Sequence, residues 1–574
     1  MRGIIHRIHS GLDLLASNWF FAYFSITALQ LKVIWGIWLR KDLPFGDTAS
    51  YYVLAQAWHL TGADMFVWSP LYTTFLGSFL SLSPDAYFAT IAHRMLIVLA
   101  LAVLVLGLMR SLLPPIVAWW TTAWWVLLPI NFESLYEVHL FFVVLILILY
   151  LAVLHLRGIL GRGVGVAALL VIGVLMRNEV LVSLLLFAGV ALGFDLWRCF
   201  RKRLVSMPRI LFAYGAPLLL ALLLCGFFYA RSIAKWPELE GFLSGKHTLN
   251  VCQIYAFSYQ QRHPDWTHSP WTECQPLIQT TFGKPEVALW EATRLNPRAM
   301  LEYYWWNVKL IPSGLQVLLF NVAAGRVDPD YAPVSFNPRV AIPASCLLAI
   351  ILIVGGMIFF QNRAGWYKTL VQPGVWGWIV MACVGLVVII VMVTERPRPS
   401  YMFSLGLLIM ASAGLCVQLV SSSWAWLSSV RPWFPIAAIA LIVITPCYYY
   451  LSPRFGSRPN LEVYRHMHPF QGIVDPDVAL MAPNAGPELC FYLSRITNRY
   501  CEGINFWTFR DSIPPGGDWN QALTARKVKF FLANESVLTD KAGASFVKSA
   551  QSNGWQVREL EDLPGNRWML LEKQ

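Results

Sequence analysis

Apolar runs of roughly 20 residues, each closed by basic or aromatic residues, recur along most of the chain; wound as helices, runs of that length match the hydrocarbon thickness of a bilayer. They fall at 18–38, 92–110, 113–131, 139–156, 163–176, 180–194, 210–230, 341–360, 371–393, 401–420 and 433–450, about eleven spans in all. The two halves of 163–194 are short. One bent span would cover them but would move the basic loop 197–209 to the opposite side, so we read a hairpin. Three long polar stretches interrupt the pattern: 39–91, 231–340 and 451–574. The last has strand-like alternation at 527–534 and 567–573 around a helical stretch at 540–553, which reads as a small α/β domain. The predicted fold class is a mainly α, polytopic membrane protein. A transmembrane domain covers 1–450, including outer loops 39–91 and 231–340, and an extracytoplasmic α/β domain covers 451–574.

Composition narrows the class. Of 574 residues, 57% are hydrophobic and 13% charged, and the mean hydropathy is +0.53; a soluble domain of this size does not have these values. The formal charge of +12 resides largely in short loops between spans. With the N-terminus in the cytoplasm, Arg110, Arg157, Arg162, the run 197–209, Arg363, Lys368 and Arg431 all fall on the cytoplasmic side, as the positive-inside rule requires. The opening MRGIIHR has no cleavage site after a short apolar core and reads as an uncleaved signal anchor. No zinc-finger spacing, phosphate-binding glycine loop or RNA-binding signature is present, which argues against nucleic acid as a partner.

Of the ten cysteines, Cys225, Cys346, Cys383, Cys416 and Cys447 lie in apolar runs and Cys199 in a basic loop. The remaining four form two pairs in the outer segments, Cys252 with Cys274 and Cys490 with Cys501, as expected for disulfides in an oxidising compartment.

Chemistry-bearing residues concentrate at the outer mouths of the spans. In FGDTASYY (45–52), Asp47, Tyr51 and Ala55 share one face if a helix begins there. Asp47 can cap that helix and can also serve as a general base. The short outer loop NFESLYEVH adds Glu133, Glu137 and His139, either as a solvated turn or as a second acid with its neighbour. MRNEV places Arg177 and Glu179 inside an apolar stretch, where charge is expensive unless it meets a partner or a polar cavity. TERPRPSY carries Glu395, Arg396, Arg398 and Tyr401; guanidinium groups suit the oxygens of a phosphate, and Arg and Tyr also anchor at interfaces. Clustered Trp and Tyr at 252–307 suit a sugar-stacking platform or an aromatic belt on the bilayer. His263, Asp265 and His268 are too loose a string to predict a metal site.

Together these strings resemble the type C glycosyltransferase superfamily of polytopic membrane enzymes (its dolichyl-phosphate-mannose and aminoarabinose transferases among them). The resemblance rests on an acid just after the first span, with Tyr51 and Ala55 at helical spacing and a following Ser-Pro-Leu-Tyr that contains Tyr72. It also rests on the mid-chain Arg-x-Glu, the NP-x-x-ML-x-Y-x-x-x-N string at 296–307, and the late Glu-Arg…Tyr loop at 395–401. It covers roughly 1–450 in layout. It implies an inverting transfer of a sugar from a polyprenyl-phosphate donor to a lipid, glycan or protein acceptor on the periplasmic face of a bacterial inner membrane. Asp47 would be the base, Glu133 or Glu137 a second acid, and Arg396 or Arg398 the phosphate contact. Tyr51, Tyr72, His139, Arg177, Glu179, Glu395 and Tyr401 would line the substrate. No cofactor is implied, because the lipid phosphate already activates the donor, and nothing in the sequence supports a divalent cation. The chain departs from the mannosyl and aminoarabinosyl branches in having Thr48, not Glu, after Asp47. The competing reading is a transporter or flippase for a lipid-linked glycan, which the sequence disfavours because it shows neither matching halves nor charges spread through the spans.

Overall fold

The computed structural model describes residues 18–39, 46–62, 69–83, 85–132, 137–156, 158–201, 204–235, 239–329, 334–361, 365, 367, 371, 374–423, 433–447, 479–482, 502–514, 517–560 and 568–573. In chain order the helices are α1 (Trp19–Val33), α2 (Gly46–Thr61), α3 (Pro70–Leu80), α4 (Ala86–Leu112), α5 (Pro115–Leu127), α6 (Glu137–His155), α7 (Ile159–Leu175), α8 (Val180–Phe200) and α9 (Met207–Lys235). Then follow α10 (Leu239–Arg262), α11 (Cys274–Phe282), α12 (Leu289–Leu295), α13 (Pro297–Phe320), α14 (Pro338–Gln361), α15 (Val375–Thr394), α16 (Phe403–Ser423) and α17 (Phe434–Ile444). Each expected span contains a helix among the described residues. Among the described residues, 8 helices are long and apolar enough to cross a membrane; α5, α7 and α17 are shorter apolar helices. The chain is a multi-pass membrane protein.

The described residues group into two compact units. One comprises the chain up to Val33 together with Ile97–Thr445, and the other Ile34–Leu96 together with Pro446–Gln574. In the first, α7 packs against α6, α8 and α9. Gly163 allows the α9 contact, since a Cβ there would meet the carbonyl oxygen of Ala213 at 1.9 Å. The expected hairpin at 163–194 is present as α7, the turn 176–179 and α8. Buried Trp119 donates its indole N–H to Ser25 at 2.8 Å, fastening α5 to α1 without leaving a polar group unpaired.

In the second unit, the C-terminal segment forms a five-stranded sheet: β1 (Ala479–Ala482), β2 (Glu502–Asn505), β3 (Val528–Ala533), β4 (Trp555–Leu560) and β5 (Trp568–Lys573), in the order β2-β1-β3-β5-β4. β1 pairs in parallel with β2 and β3, while β5 runs antiparallel to β3 and β4. Phe506, Phe531, Phe546 and Trp555 fill the core beneath it. Asp518, Asn534 and Asp540 cap the three short helices Trp519–Ala525, Glu535–Thr539 and Lys541–Ser549, each side chain accepting backbone N–H groups that the first turn leaves unpaired. The strands at 527–534 and 567–573 and the helix at 540–553 fall where the alternation placed them.

Candidate functional site

Two helix breaks bring the polar residues together. α7 stops at Leu175, and Met176–Glu179 turns back into α8, with the Arg177 amide donating to the Ile172 carbonyl at 3.0 Å. α15 stops at Thr394 because Pro397 and Pro399 can neither donate to a helix ladder nor let their predecessors stay helical. The chain closes instead into a tight turn, with the Arg398 amide bonded to the Arg396 carbonyl and the Tyr401 amide to the Arg398 carbonyl. The carbonyls left open at the end of α15 are taken up by α13. Tyr303 Oη donates to the carbonyls of Thr394 and Glu395 at 2.9 and 2.6 Å, and Asn307 Nδ2 donates to that of Val393 at 2.9 Å. The string at 296–307 therefore has a structural task. Asn296 caps α13, and Tyr303 and Asn307 seat the loop that carries Glu395 and Arg398.

Arg177 is the hub of the resulting cluster. Its Nε donates to Glu179 Oε1, its Nη1 lies 3.0 Å from His139 Nδ1, and its guanidinium sits 4.4 Å from the centre of the Tyr401 ring. His139 meets the same ring edge-on, with centroids 5.1 Å apart. Arg398 covers Tyr401 from 5.5 Å. Glu395 retains some solvent contact, yet burial pushes its carboxyl up to about 7; Glu179 pushes the same way, while Arg177 and Arg398 pull it down. Burial works against the charge on Arg177, but Glu179, Tyr401 and Glu395 outweigh it and hold the guanidinium above its usual range. Two arginines thus face two carboxylates, one of which is neutral on the acid side of about 7. Arg177, Glu179, His139, Glu395 and Tyr401 remain partly accessible, so an anion that enters can replace a carboxylate as an arginine's partner.

Arg396 belongs elsewhere. It is buried, its Nε donates to the Pro329 carbonyl at 3.0 Å and its Nη2 to the Asp328 carbonyl, and its guanidinium lies 3.8 Å from the Phe257 ring centre. It pins the loop after α13 and helix α10 to the 395–401 turn. The disulfide Cys252–Cys274 joins α10 to α11 as expected. Glu137 is buried in the first turn of α6, where the helix dipole favours a carboxylate. Glu133, Cys490 and Cys501 lie outside the described residues.

In the other unit, Asp47 lies in the first turn of α2, a turn of which only the backbone is described. Tyr51, one turn on, meets the Tyr72 ring edge-on at 5.4 Å. The hydroxyl of Tyr72 is 3.1 Å from Nε2 of the fully buried His93. The Thr90 carbonyl accepts from Nδ1 of that ring, which makes Nε2 the acceptor and Tyr72 the donor. Sequence reasoning passed over His93, although a His-Arg dipeptide at the start of an apolar run is a visible signal. His263 stacks on Tyr259, and His268 lies 3.7 Å from Glu273. Among the described residues no three His, Cys, Asp or Glu side chains gather as a metal site.

Neither a family model nor a curated protein matches the chain. Among solved structures it is similar to the Archaeoglobus fulgidus oligosaccharyltransferase in its apo form, at 12% identity and a TM-score of 0.38, over 94% of this chain and 71% of that one. It is also similar to the archaeal oligosaccharyltransferase AglB from Archaeoglobus fulgidus in complex with an inhibitory peptide and a dolichol-phosphate, at 11% identity and a TM-score of 0.39, over 94% and 71%. A third structure, the Archaeoglobus fulgidus enzyme tethered to an acceptor peptide, matches at 12% identity and a TM-score of 0.39 over 99% and 74%. At these values the likeness is loose and assigns no activity.

Proposed function

We propose that the chain is a membrane glycosyltransferase that moves a hexosyl or pentosyl unit from a polyprenyl-phosphate carrier to a lipid, glycan or protein acceptor. The reaction takes place on the extracytoplasmic face of a bacterial inner membrane, with the N-terminus in the cytoplasm and the 451–574 domain outside. The observation that carries the reading is the convergence of Arg177 and Arg398 with Glu179 and Glu395 between the turn 176–179 and the loop 395–401. Charges kept within an apolar protein either close on one another or mark the path of an ion or substrate, and the partial exposure of Arg177, Glu179 and Glu395 favours the second. The sequence resemblance supplies the sugar.

In this reaction the acceptor hydroxyl attacks the anomeric carbon while the bond from that carbon to the phosphate oxygen breaks. The hydroxyl proton passes to Asp47, and the carrier leaves as its phosphate anion, stabilised by Arg177 and Arg398. One displacement inverts the anomeric centre. Of the two expected phosphate contacts, Arg398 is the one we assign, because it covers Tyr401 beside Arg177, whereas Arg396 is directed to the Asp328 and Pro329 carbonyls and the Phe257 ring. Asp47→Asn should lower transfer from a panel of polyprenyl-phosphate sugars by about 10²–10⁴-fold, the usual contribution of a general base. Donor consumption that survives this change would remove Asp47 from the chemistry.

Glu395 makes the site pH-sensitive, and the sign follows from its raised pKa. Below about 7 the carboxyl is neutral and the two arginines face one carboxylate; above it they face two. Affinity for a polyprenyl phosphate should therefore fall as pH rises from 6 through 8, with both values taken about 1 unit either side of the transition. Glu395→Gln should flatten that profile. The same group contributes stability that is fully present below the ordinary carboxylate range and lost as pH climbs through about 7. Isothermal titration of an undecaprenyl-phosphate analogue against both proteins checks the binding profile.

A further inference from the structure

Helix α13 is not one of the apolar spans, yet it touches the ends of three helices that belong to the span bundle. Tyr303 and Asn307 bond the final carbonyls of α15. Gly314 lies so close to the next loop that a Cβ would meet the Pro397 carbonyl oxygen at 2.4 Å. Leu318 packs on Gly406 in the first turn of α16. The Leu319 carbonyl accepts from the indole of Trp124 in the last turn of α5 at 2.8 Å. Sixteen residue steps from Tyr303 to Leu319 cover about 24 Å at the helical rise, and among the described residues α13 meets the spans near their ends: the last turn of α15, the start of α16, the last turn of α5 and, through Gln316 and Ser345 at 3.1 Å, the second turn of α14. A helix that runs along a span would meet the span's middle. α13 therefore lies across the bundle's end, in the plane of the membrane boundary.

The face it turns away from the bundle has a definite composition. Arg298, Leu301, Trp305, Lys309 and Pro312 are all exposed and follow each other at helical spacing. The short helix α12 extends this face with Trp290, Arg294 and Leu295 and is fastened by a 2.9 Å hydrogen bond between Thr293 and Tyr304. Trp290, Leu301 and Trp305 are 68%, 66% and 60% exposed. Each tryptophan carries a cation beside it: Arg294 lies 5.8 Å from the Trp290 ring centre, and Lys309 5.9 Å from that of Trp305. Both acids on the stripe are already bridged: Glu302 by Arg298 at 3.3 Å and Arg262 at 3.8 Å, and Glu291 by Lys284 at 2.5 Å.

We infer that α12 and α13 rest on the outer leaflet, with Trp290, Leu301 and Trp305 at the acyl boundary and Arg294, Arg298 and Lys309 on the phosphates of anionic lipids. Depth and chemistry select this occupant together. Tryptophan beside Lys or Arg at the membrane boundary is the signature of an interfacial anchor, and three cations beside two acids that are each already bridged complement an anionic surface. The outer loop that seats Glu395 and Arg398 is thereby held at a fixed height.

The test uses the full chain in nanodiscs of phosphatidylcholine doped with phosphatidylglycerol. The photoreactive residue p-benzoylphenylalanine replaces Leu301, Trp305 or, as reference, Thr267, and the adducts are read by mass. Phospholipid adducts at 301 and 305, severalfold above those at 267, are expected. In R294Q/R298Q/K309Q, eluting as the same species, the phosphatidylglycerol share of those adducts should drop to its share in the bilayer. Crosslinked pairs of chains would show the face to be an interface between copies. Absence of adducts at 301 and 305 would place it in water, and an unchanged phosphatidylglycerol share would remove the cations' role. Each of these results overturns the inference.

Discussion

Arg177→Gln is expected to lower sugar transfer by about 10²–10³-fold, the range seen when one preorganised donor to a developing anion is removed. Arg177 is the one residue that touches every wall of the cluster: Glu179 on its own turn, His139 on α6, and Tyr401 on the far loop. Its loss also leaves Glu179 and Glu395 with only Arg398 to offset them, so Glu395 should hold its proton to still higher pH. The binding profile would then shift to the alkaline side, a change that simple unfolding does not produce. Arg177→Lys keeps the charge but loses the planar fork and should fall between the two. Arg398→Gln should act in the same direction as Arg177→Gln. Native-like transfer by Arg177→Gln, in protein that elutes as the wild type does, would make the cluster structural.

Much of this site was legible because charge inside an apolar run stands out. Arg177 and Glu179 interrupt one run and Glu395–Tyr401 another, and the structure brings these two interruptions together with His139. Helix spacing likewise put Asp47 and Tyr51 one turn apart at the start of α2. What the sequence lacked was direction. Arg396 and Arg398 stand in the same motif, two residues apart around a proline, and nothing local shows that one stacks on Phe257 while the other covers Tyr401. The pairing of Tyr303 and Asn307 with the end of α15 joins segments some ninety positions apart. Arg162 was visible only as a basic loop residue, because the acid it binds lies on another helix.

That last pair carries the second large effect. Asp195→Ala should destabilise the protein by about 3–5 kcal/mol, the cost of stranding a buried charge. Arg162 and Asp195 are 4% and 0% exposed. They form a two-pronged bridge, Nε to Oδ2 at 2.8 Å and Nη2 to Oδ1 at 2.5 Å. Tyr214 donates to Oδ2 at 2.9 Å, and Trp376 covers the guanidinium from 4.5 Å. Four helices, α7, α8, α9 and α15, meet in this one bond set. Replacing both partners, Arg162→Met with Asp195→Leu, should cost much less than Asp195→Ala alone, since no charge is then stranded. Thermal unfolding of the detergent-solubilised chain decides: equal midpoints for Asp195→Ala and wild type would show that the bridge contributes nothing. The comparison also bears on function. α7 carries an arginine cluster at each end, Arg162 in its first turn and Arg177 just past its last. At the first, both carboxylate oxygens are engaged and the group is closed off from solvent. At the second, two carboxylates compete for two arginines, one of the carboxylates holds its proton to about 7, and Arg177, Glu179 and Glu395 stay within reach of solvent while Arg398 is buried. The first arrangement is complete without a ligand, and the second has a place for an anion.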